Sequence, residues 1–245
     1  MQVASRQCLW KDTIVWSCTM LVVEASEECM TVHIARGELA SGSSSVTISW
    51  GDGTKSEYSR INDAQHTYAK RGEYLIVISD DICTFGYSTS TGESRVRDML
   101  RELVALGSKV DCIGGYAFNN CHRMRGVVNL PNVTSIGGYA FGSTLGITDF
   151  VLPSLKRLLQ TAFFTGPSAT RMYADNVNQI DSRFWEYYGV SGCGSTLQDL
   201  YLRNSTCAQI KAMAGFPFWA DKIGMDVRFH GADGIVLKDG SVIPN

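Results

Sequence analysis

Ile113-Gly-Gly-Tyr-Ala-Phe118 returns as Ile136-Gly-Gly-Tyr-Ala-Phe141, 23 residues later. A weaker copy, Leu158-Leu-Gln-Thr-Ala-Phe163, follows after 22, and a fourth, Ile180-Asp-Ser-Arg-Phe184, at about the same interval. A period of about 20–29 residues with an apolar strand in each unit is the mark of stacked coils that share one core. The fold of this chain is decided by that stretch, Val110 to Trp185.

Three units can be laid over one another. Val128-Asn-Leu-Pro-Asn-Val-Thr-Ser-Ile136 matches Phe150-Val-Leu-Pro-Ser-Leu-Lys-Arg-Leu158 and Met172-Tyr-Ala-Asp-Asn-Val-Asn-Gln-Ile180. Each is expected to begin with a short strand and to turn at Pro131, Pro153 or Asp175. Val133, Leu155 and Val177 fall in register, and so do Ile136, Leu158 and Ile180. Phe118, Phe141, Phe163 and Phe184 form a further ladder, expected in the core on the side opposite the strands. Gly114, Gly115, Gly137 and Gly138 are read as the sharp turns before each Tyr-Ala-Phe. A longer interval with Gly189 to Gly194 leads to a final strand, Leu197-Gln-Asp-Leu-Tyr-Leu202.

This register sets Asn129, Val151, Tyr173 and Tyr201 side by side on the outward face, flanked by Asp149, Arg171 and Asp199. Tyrosine is enriched at interfaces, so the row is the candidate binding face. An ordinary solvated sheet face is the plain alternative. Leu-Pro-Asn-Val-Thr-Ser-Ile-Gly-Gly-Tyr-Ala-Phe141, with Cys121 after Phe118, resembles the BspA-type leucine-rich repeats of bacterial surface proteins. Cysteine does not follow Phe141 or Phe163 in the same way, so the later repeats drift. The resemblance implies a non-enzymatic extracellular module that adheres to host, matrix or neighbouring-cell components.

Upstream, Ile14 to Val23, Cys29 to Ile34, Ser45 to Trp50 and Glu73 to Ser79 are short runs rich in Val, Ile, Thr and Tyr, separated by turn residues. Gly37 and Ser41 to Ser45 read as a loop. Trp50-Gly-Asp-Gly-Thr54 is a tight turn in which the Asp52 carboxylate can accept backbone N–H groups. Asp52 with Glu57 is too few hard oxygens for calcium. His66 and Tyr68 are placed to hydrogen-bond the facing loop, with Tyr74 packed inward. Val46-Thr-Ile-Ser-Trp-Gly-Asp-Gly-Thr54, then His66-Thr-Tyr68 and Gly72-Glu-Tyr74, resemble the PKD (polycystic kidney disease) domain family. That resemblance implies an immunoglobulin-like β-sandwich used as a spacer or binding module.

Between the two parts, 80–87 and Ser88 to Ser94 read as loop. Arg95 to Leu106 has near-helical apolar spacing, which fits either a short capping helix or an atypical first repeat. The linker is short, so the two parts are expected to touch. After the repeats, Thr206 is an N-cap for a helix over Cys207 to Met213, with Ile210 and Met213 inward and Gly215 ending it. Phe216, Phe218 and Trp219 are expected to seal the open end. Val227 to Phe229 reads as a strand and Gly234 to Ile243 as a hairpin turning at Asp239-Gly240.

The expected fold is therefore mainly β. An immunoglobulin-like β-sandwich (1–87) precedes a short leucine-rich-repeat solenoid (95–204), and a small α/β C-terminal cap (205–245) closes it. Length suits two such units. The formal net charge of -2 and the absence of a basic block count against nucleic acid as a partner. Trp16 to Val23 is too short and too broken for a signal peptide or membrane anchor and reads as a strand. The expected location is extracellular or cell-surface by resemblance, otherwise a phage virion or the cytoplasm.

Eight cysteines without a CxxC pair read as scattered thiols rather than a zinc site. Disulfides among Cys8, Cys18, Cys29 and Cys83 remain open if the protein is exported. No catalytic residue, metal or cofactor is expected. His230 near Asp233 is the nearest approach to an enzyme-like pair, but no nucleophile is tied to it. Asp149, Asp175 and Asp199 are read as lying at different register positions, against a hydrolytic carboxylate pair. The expected partner is a protein or glycan on a host or neighbouring cell. The alternative is a set of subunits in a larger assembly, such as a phage tail.

Overall fold

The computed structural model describes residues 18–86, 96–159, 162–163, 168–181, 196–213 and 226–245. Phe184, Gly189 to Gly194, Phe216, Phe218, Trp219, Gly215, Cys8 and the Ser88 to Ser94 loop lie outside the described residues. The described chain is mainly β. It runs β1 (Cys18–Ala25), β2 (Thr31–His33), β3 (Gly37–Leu39), β4 (Val46–Ser49), β5 (Lys55–Tyr58), β6 (Gln65–Thr67), β7 (Gly72–Ser79), β8 (Ile82–Phe85) and β9 (Leu100–Ala105). The repeats then give β10 (Cys112–Ile113), β11 (Arg125–Asn129), β12 (Ser135–Ile136), β13 (Gly146–Val151), β14 (Arg157–Leu158), β15 (Arg171–Tyr173), β16 (Gln179–Ile180) and β17 (Asp199–Tyr201). A helix, α1 (Cys207–Ala212), and three strands follow: β18 (Arg228–His230), β19 (Gly234–Val236) and β20 (Val242–Pro244).

In the N-terminal part, β1 alternates half-buried and buried residues along its length, as a strand with one core face must. It pairs antiparallel with β7 from Cys18↔Ser79 to Ala25↔Gly72. The full sheet runs β5-β4-β7-β1-β9, and β2 with β6 makes a small second ladder. The turn between β4 and β5 is held as its residues predict. Asp52 Oδ1 accepts the Thr54 backbone N–H at 2.9 Å and the Thr54 hydroxyl at 2.6 Å. His66 Nε2 lies 2.7 Å from Asp52 Oδ2, and its ring stacks on Trp50 at 5.0 Å. The buried Tyr68 hydroxyl donates to the Trp50 carbonyl at 2.9 Å.

Two segments read as loop are strands. Gly37–Leu39 pairs with Ile82–Phe85, which in turn pairs parallel with β10 of the first repeat. Neither segment alternates in sequence; long-range pairing makes them strands. Of the two alternatives for Arg95 to Leu106, the helix is not formed. Leu100–Ala105 is a strand that buries Leu100, Arg101, Leu103 and Ala105, pairs antiparallel with β1, and lies beside β11. The two parts are thus joined on both sides, through β9 on β1 and through β8 against β10. Buried residues from Leu21 to Val236 form one hydrophobic cluster.

In the repeats, parallel strands stack on two sides of a shared core. One ladder runs β11-β13-β15-β17-β18 and closes with antiparallel β19 and β20. Arg228–His230, expected in the cap, is a further parallel rung of this ladder. The other side carries β8, β10 and β12, then β14 with β16. Between them the Phe ladder stacks as expected: Phe118 on Phe141 at 5.1 Å and Phe141 on Phe163 at 5.9 Å. The ladder starts one rung earlier than the repeats suggest, because Phe85 stacks on Phe118 at 5.5 Å. Phe150 from β13 meets Phe141 edge-on at 5.2 Å, so side chains from strand and turn interlock across the core.

The glycines before Tyr-Ala-Phe have a different role from the one expected. The left-handed residues are Tyr116 (φ 58°) and Tyr139 (φ 59°), not their glycine neighbours. What Gly137 provides is closeness: a Cβ there would stand 2.5 Å from the Gly115 nitrogen and 2.9 Å from the Gly114 carbonyl carbon. Backbone packs on backbone where adjacent coils meet. The two tyrosines stack at 5.0 Å, and Tyr116 N–H donates to the Gly138 carbonyl at 3.0 Å, which holds the costly conformation in place.

At the C-terminal end, Thr206 caps α1 as expected, and Gln209 completes a capping box. Ile210 and Met213 are buried. The β19–β20 hairpin turns at Asp239-Gly240, where Asp239 Oδ1 accepts the Ser241 N–H at 2.8 Å. Cys18, Cys29 and Cys83 are thiols.

Candidate binding face

The outward face of the long parallel ladder is built by register. Asn129 stands opposite Val151, Val151 opposite Tyr173, and Tyr173 opposite Tyr201. The row does not end there: Tyr201 stands opposite His230, and His230 opposite Ile235. Each rung is tied to the next by the carbonyl of its row residue. Leu130, Leu152, Ala174 and Leu202 donate N–H groups to the carbonyls of Val151, Tyr173, Tyr201 and His230 at 2.7–2.9 Å. The side chains therefore sit at the strand spacing of about 4.8 Å, which is stacking distance for rings.

The rings use it. Tyr173 and Tyr201 stack at 4.4 Å with 8° between planes, and Tyr201 and His230 at 4.3 Å with 16°. All three are half-buried. Stacking hides both faces of Tyr201 and one face each of Tyr173 and His230. Burial, and then Tyr201, push the Tyr173 phenol above its ordinary value.

Two residues before each of Val151, Tyr173, Tyr201 and His230 lies a row of alternating charge: Asp149↔Arg171↔Asp199↔Arg228. Asp149 and Asp199 were expected as outward flanking residues at different positions. They share one register position on either side of Arg171, and both are buried. The arginines lie over them. Arg171 Nε and Nη2 donate to the two Asp149 oxygens at 2.5 and 3.1 Å. Arg228 does the same to Asp199 at 2.8 Å, and His230 Nε2 is 2.7 Å from Asp199 Oδ1. Burial alone would raise the Asp199 carboxyl; the bonds from Arg228 and His230 outweigh it and hold it low.

On the other flank, Arg203 Nε and Nη2 grip the two oxygens of Asp175 at 2.9 and 2.5 Å. Its guanidinium carbon is 5.8 Å from the Tyr173 ring centre and 5.9 Å from that of Tyr201. A point equidistant from two stacked rings stands beside the pair, over neither face. It is an edge contact, weaker than a cation over a π-face.

Of the seven residues expected on this face, Asn129 and Arg171 are exposed, Val151, Tyr173 and Tyr201 half-buried, Asp149 and Asp199 buried. Arg203, Arg228, His230 and Asp175 complete it and were missed as face residues. The signal for Arg203 was in the sequence, two residues past Tyr201. Arg228 and His230 sat in a segment read as cap. His230 turns to Asp199, not to Asp233; the Asp233 carboxylate instead accepts the Cys207 N–H at the start of α1, at 2.6 Å.

Residues 99–193 match the family described as BspA type Leucine rich repeat region, in six copies. The match covers β9 to β16. No curated protein and no solved structure matches the chain. No helix of the described residues is long and apolar enough to cross a membrane.

Proposed function

We propose that this chain is a non-enzymatic adhesion module of bacterial surface type, which binds a protein partner through the outward face of its parallel ladder. In this reading an immunoglobulin-like, PKD-like sandwich carries a leucine-rich-repeat solenoid, and the module works outside the cell or on its surface. The repeat match supports it, since BspA-type repeats are commonly surface modules that bind proteins.

One observation carries the choice of a protein over a glycan. Sugar rings pack on broad exposed aromatic faces, and here the stack covers both faces of Tyr201 and one face each of Tyr173 and His230, with Val151 and Ile235 the strand neighbours at its two ends. What the row offers is ring edges, hydroxyls and arginine forks, the contacts typical of protein interfaces.

The test is a peptide-display selection on the full chain, repeated on a Tyr173→Ala/Tyr201→Ala variant checked for an unchanged fold. Sequences enriched on the wild type and lost on the variant are the expected result. A glycan array run in parallel supplies the rival outcome. Sugars retained with no face-dependent peptide would overturn the reading.

A further inference from the structure

We infer that the partner segment this face takes is acidic, an extended stretch of protein carrying Asp or Glu side chains. The inference rests on the reading of the face as a protein contact surface and names what that surface recognises.

The argument begins with how the charges are layered. Asp149, Asp199 and Asp175 lie beneath, their side chains 3%, 10% and 20% exposed. Arg171, Arg228 and Arg203 lie on top, 48%, 51% and 57% exposed. An approaching partner meets guanidinium N–H groups first. The formal charges of the three pairs cancel, so attraction comes from directed bonds at contact, not from a long-range field.

The bonding pattern is the same in all three pairs. Each aspartate is held through Nε and Nη2, one edge of the guanidinium. A guanidinium has five N–H donors, and this geometry uses two. The opposite edge, Nη1 with the second hydrogen of Nη2, carries two parallel N–H groups on a side chain that is about half exposed in each pair. Two parallel donors match the two oxygens of a carboxylate. Each buried aspartate also fixes its arginine, so the ordering of a long side chain is complete before a ligand arrives.

Spacing fits an extended peptide. Arg171 and Arg228 flank Asp199 at two strand separations, about 10 Å. Arg203 lies along the strand from them, with the Tyr173 and Tyr201 edges between. Residues four apart on an extended chain lie on one side about 13 Å from each other, close to the four-residue step from Asp199 to Arg203. Every second acidic side chain of an alternating stretch can therefore meet a fork at each end while the backbone runs over the tyrosine edges. A sulfated glycan shares the anionic chemistry, but the stack leaves its sugars at most the outer faces of Tyr173 and His230, at the two ends of the row.

The experiment measures anisotropy of a labelled peptide alternating Glu and Ser on the full chain. A matched Lys-Ser peptide and a sulfated polysaccharide are the controls. The Glu peptide is expected to bind, with only a small loss between about 50 mM and about 300 mM salt, since the attraction is at contact and not long-range. Arg203→Lys keeps the charge but loses the fork, and is expected to weaken binding about tenfold. Arg203 is the variant of choice because Asp175 is the most exposed of the three carboxylates, and an unchanged thermal midpoint shows that the variant folds. Equal binding of the Lys peptide, an unaffected Arg203→Lys variant, or retention of the polysaccharide in place of the Glu peptide would each overturn the inference. If display selects face-dependent peptides without acidic residues, the acidic partner fails and the protein-binding reading stands. If it selects none, both fail.

Discussion

Phe85 stacks on Phe118, ring centres 5.5 Å apart and planes 20° apart, and both are fully buried. Phe85 ends β8 in the N-terminal part; Phe118 is the first aromatic rung of the repeats. The contact makes the N-terminal part and the repeats one core. Phe85→Ala should cost about 3–5 kcal/mol, the usual range for a buried Phe truncated without collapse of the cavity. It should weaken both parts together. Urea unfolding followed by tryptophan fluorescence and by far-ultraviolet circular dichroism checks this: coincident transitions are expected, shifted equally. Two separated transitions would contradict the shared core.

Gly137→Ala tests the close approach of adjacent coils. The new methyl would meet backbone atoms of Gly114 and Gly115, which cannot swing aside as a side chain does. A loss of about 1–3 kcal/mol is expected. Gly42→Ala provides a comparison. Its Cβ would meet no atom within 4 Å, but its φ is +85°, so it should cost only the strain of a left-handed alanine, about 1–2 kcal/mol. Thermal midpoints of the two variants compare crowding with strain.

Acid should loosen the β4–β5 turn. Hydrogen bonds from Thr54, then from His66, bring the Asp52 carboxyl from an ordinary 3.8 down to about 2. A lowered carboxyl contributes stability that is fully present above the unfolded value, near pH 4, and is lost as pH falls through about 2. The stability gap between wild type and Asp52→Asn should be constant from pH 7 to about pH 5 and close below it. Urea midpoints across that range measure the gap; a gap that widens in acid would refute the assignment.

Arg171→Ala should cost more than its exposure suggests. It leaves the Asp149 carboxylate buried without its strongest donor, a loss of about 1–3 kcal/mol. Changing both residues to apolar ones of similar size, Arg171→Met with Asp149→Leu, should recover much of that loss. A double-mutant cycle on thermal midpoints reads the coupling directly.

The sequence carried the repeat register well because identical side chains recur where coils must stack. Val133, Leu155 and Val177 are buried in the order the alignment sets, and so are Phe118, Phe141 and Phe163. The tight turns at Asp52-Gly53 and Asp239-Gly240 were legible because their chemistry is local. What was hidden depends on distant partners. Gly37–Leu39 and Ile82–Phe85 are strands only because each pairs with the other or with β10. Leu100–Ala105 keeps helical spacing of its leucines, yet β1 and β11 on either side hold it extended. The burial of Asp149 and Asp199 follows from arginines one rung away, which a one-strand alternation cannot reveal. Arg228–His230 lacks the repeat signature and joins the ladder by hydrogen bonding alone.

If the row through Tyr173 and Tyr201 is the contact surface, binding must depend on those two rings. A second half-buried tyrosine stack, Tyr116 on Tyr139, allows a controlled measurement. Affinity for display-selected peptides should be compared between Tyr173→Ala/Tyr201→Ala and Tyr116→Ala/Tyr139→Ala, the pair on the turns of the first two repeats. Loss of tenfold or more from the first pair, about 1.4 kcal/mol, with little change from the second, is the predicted result. Equal losses, or a loss confined to Tyr116 and Tyr139, would contradict the account.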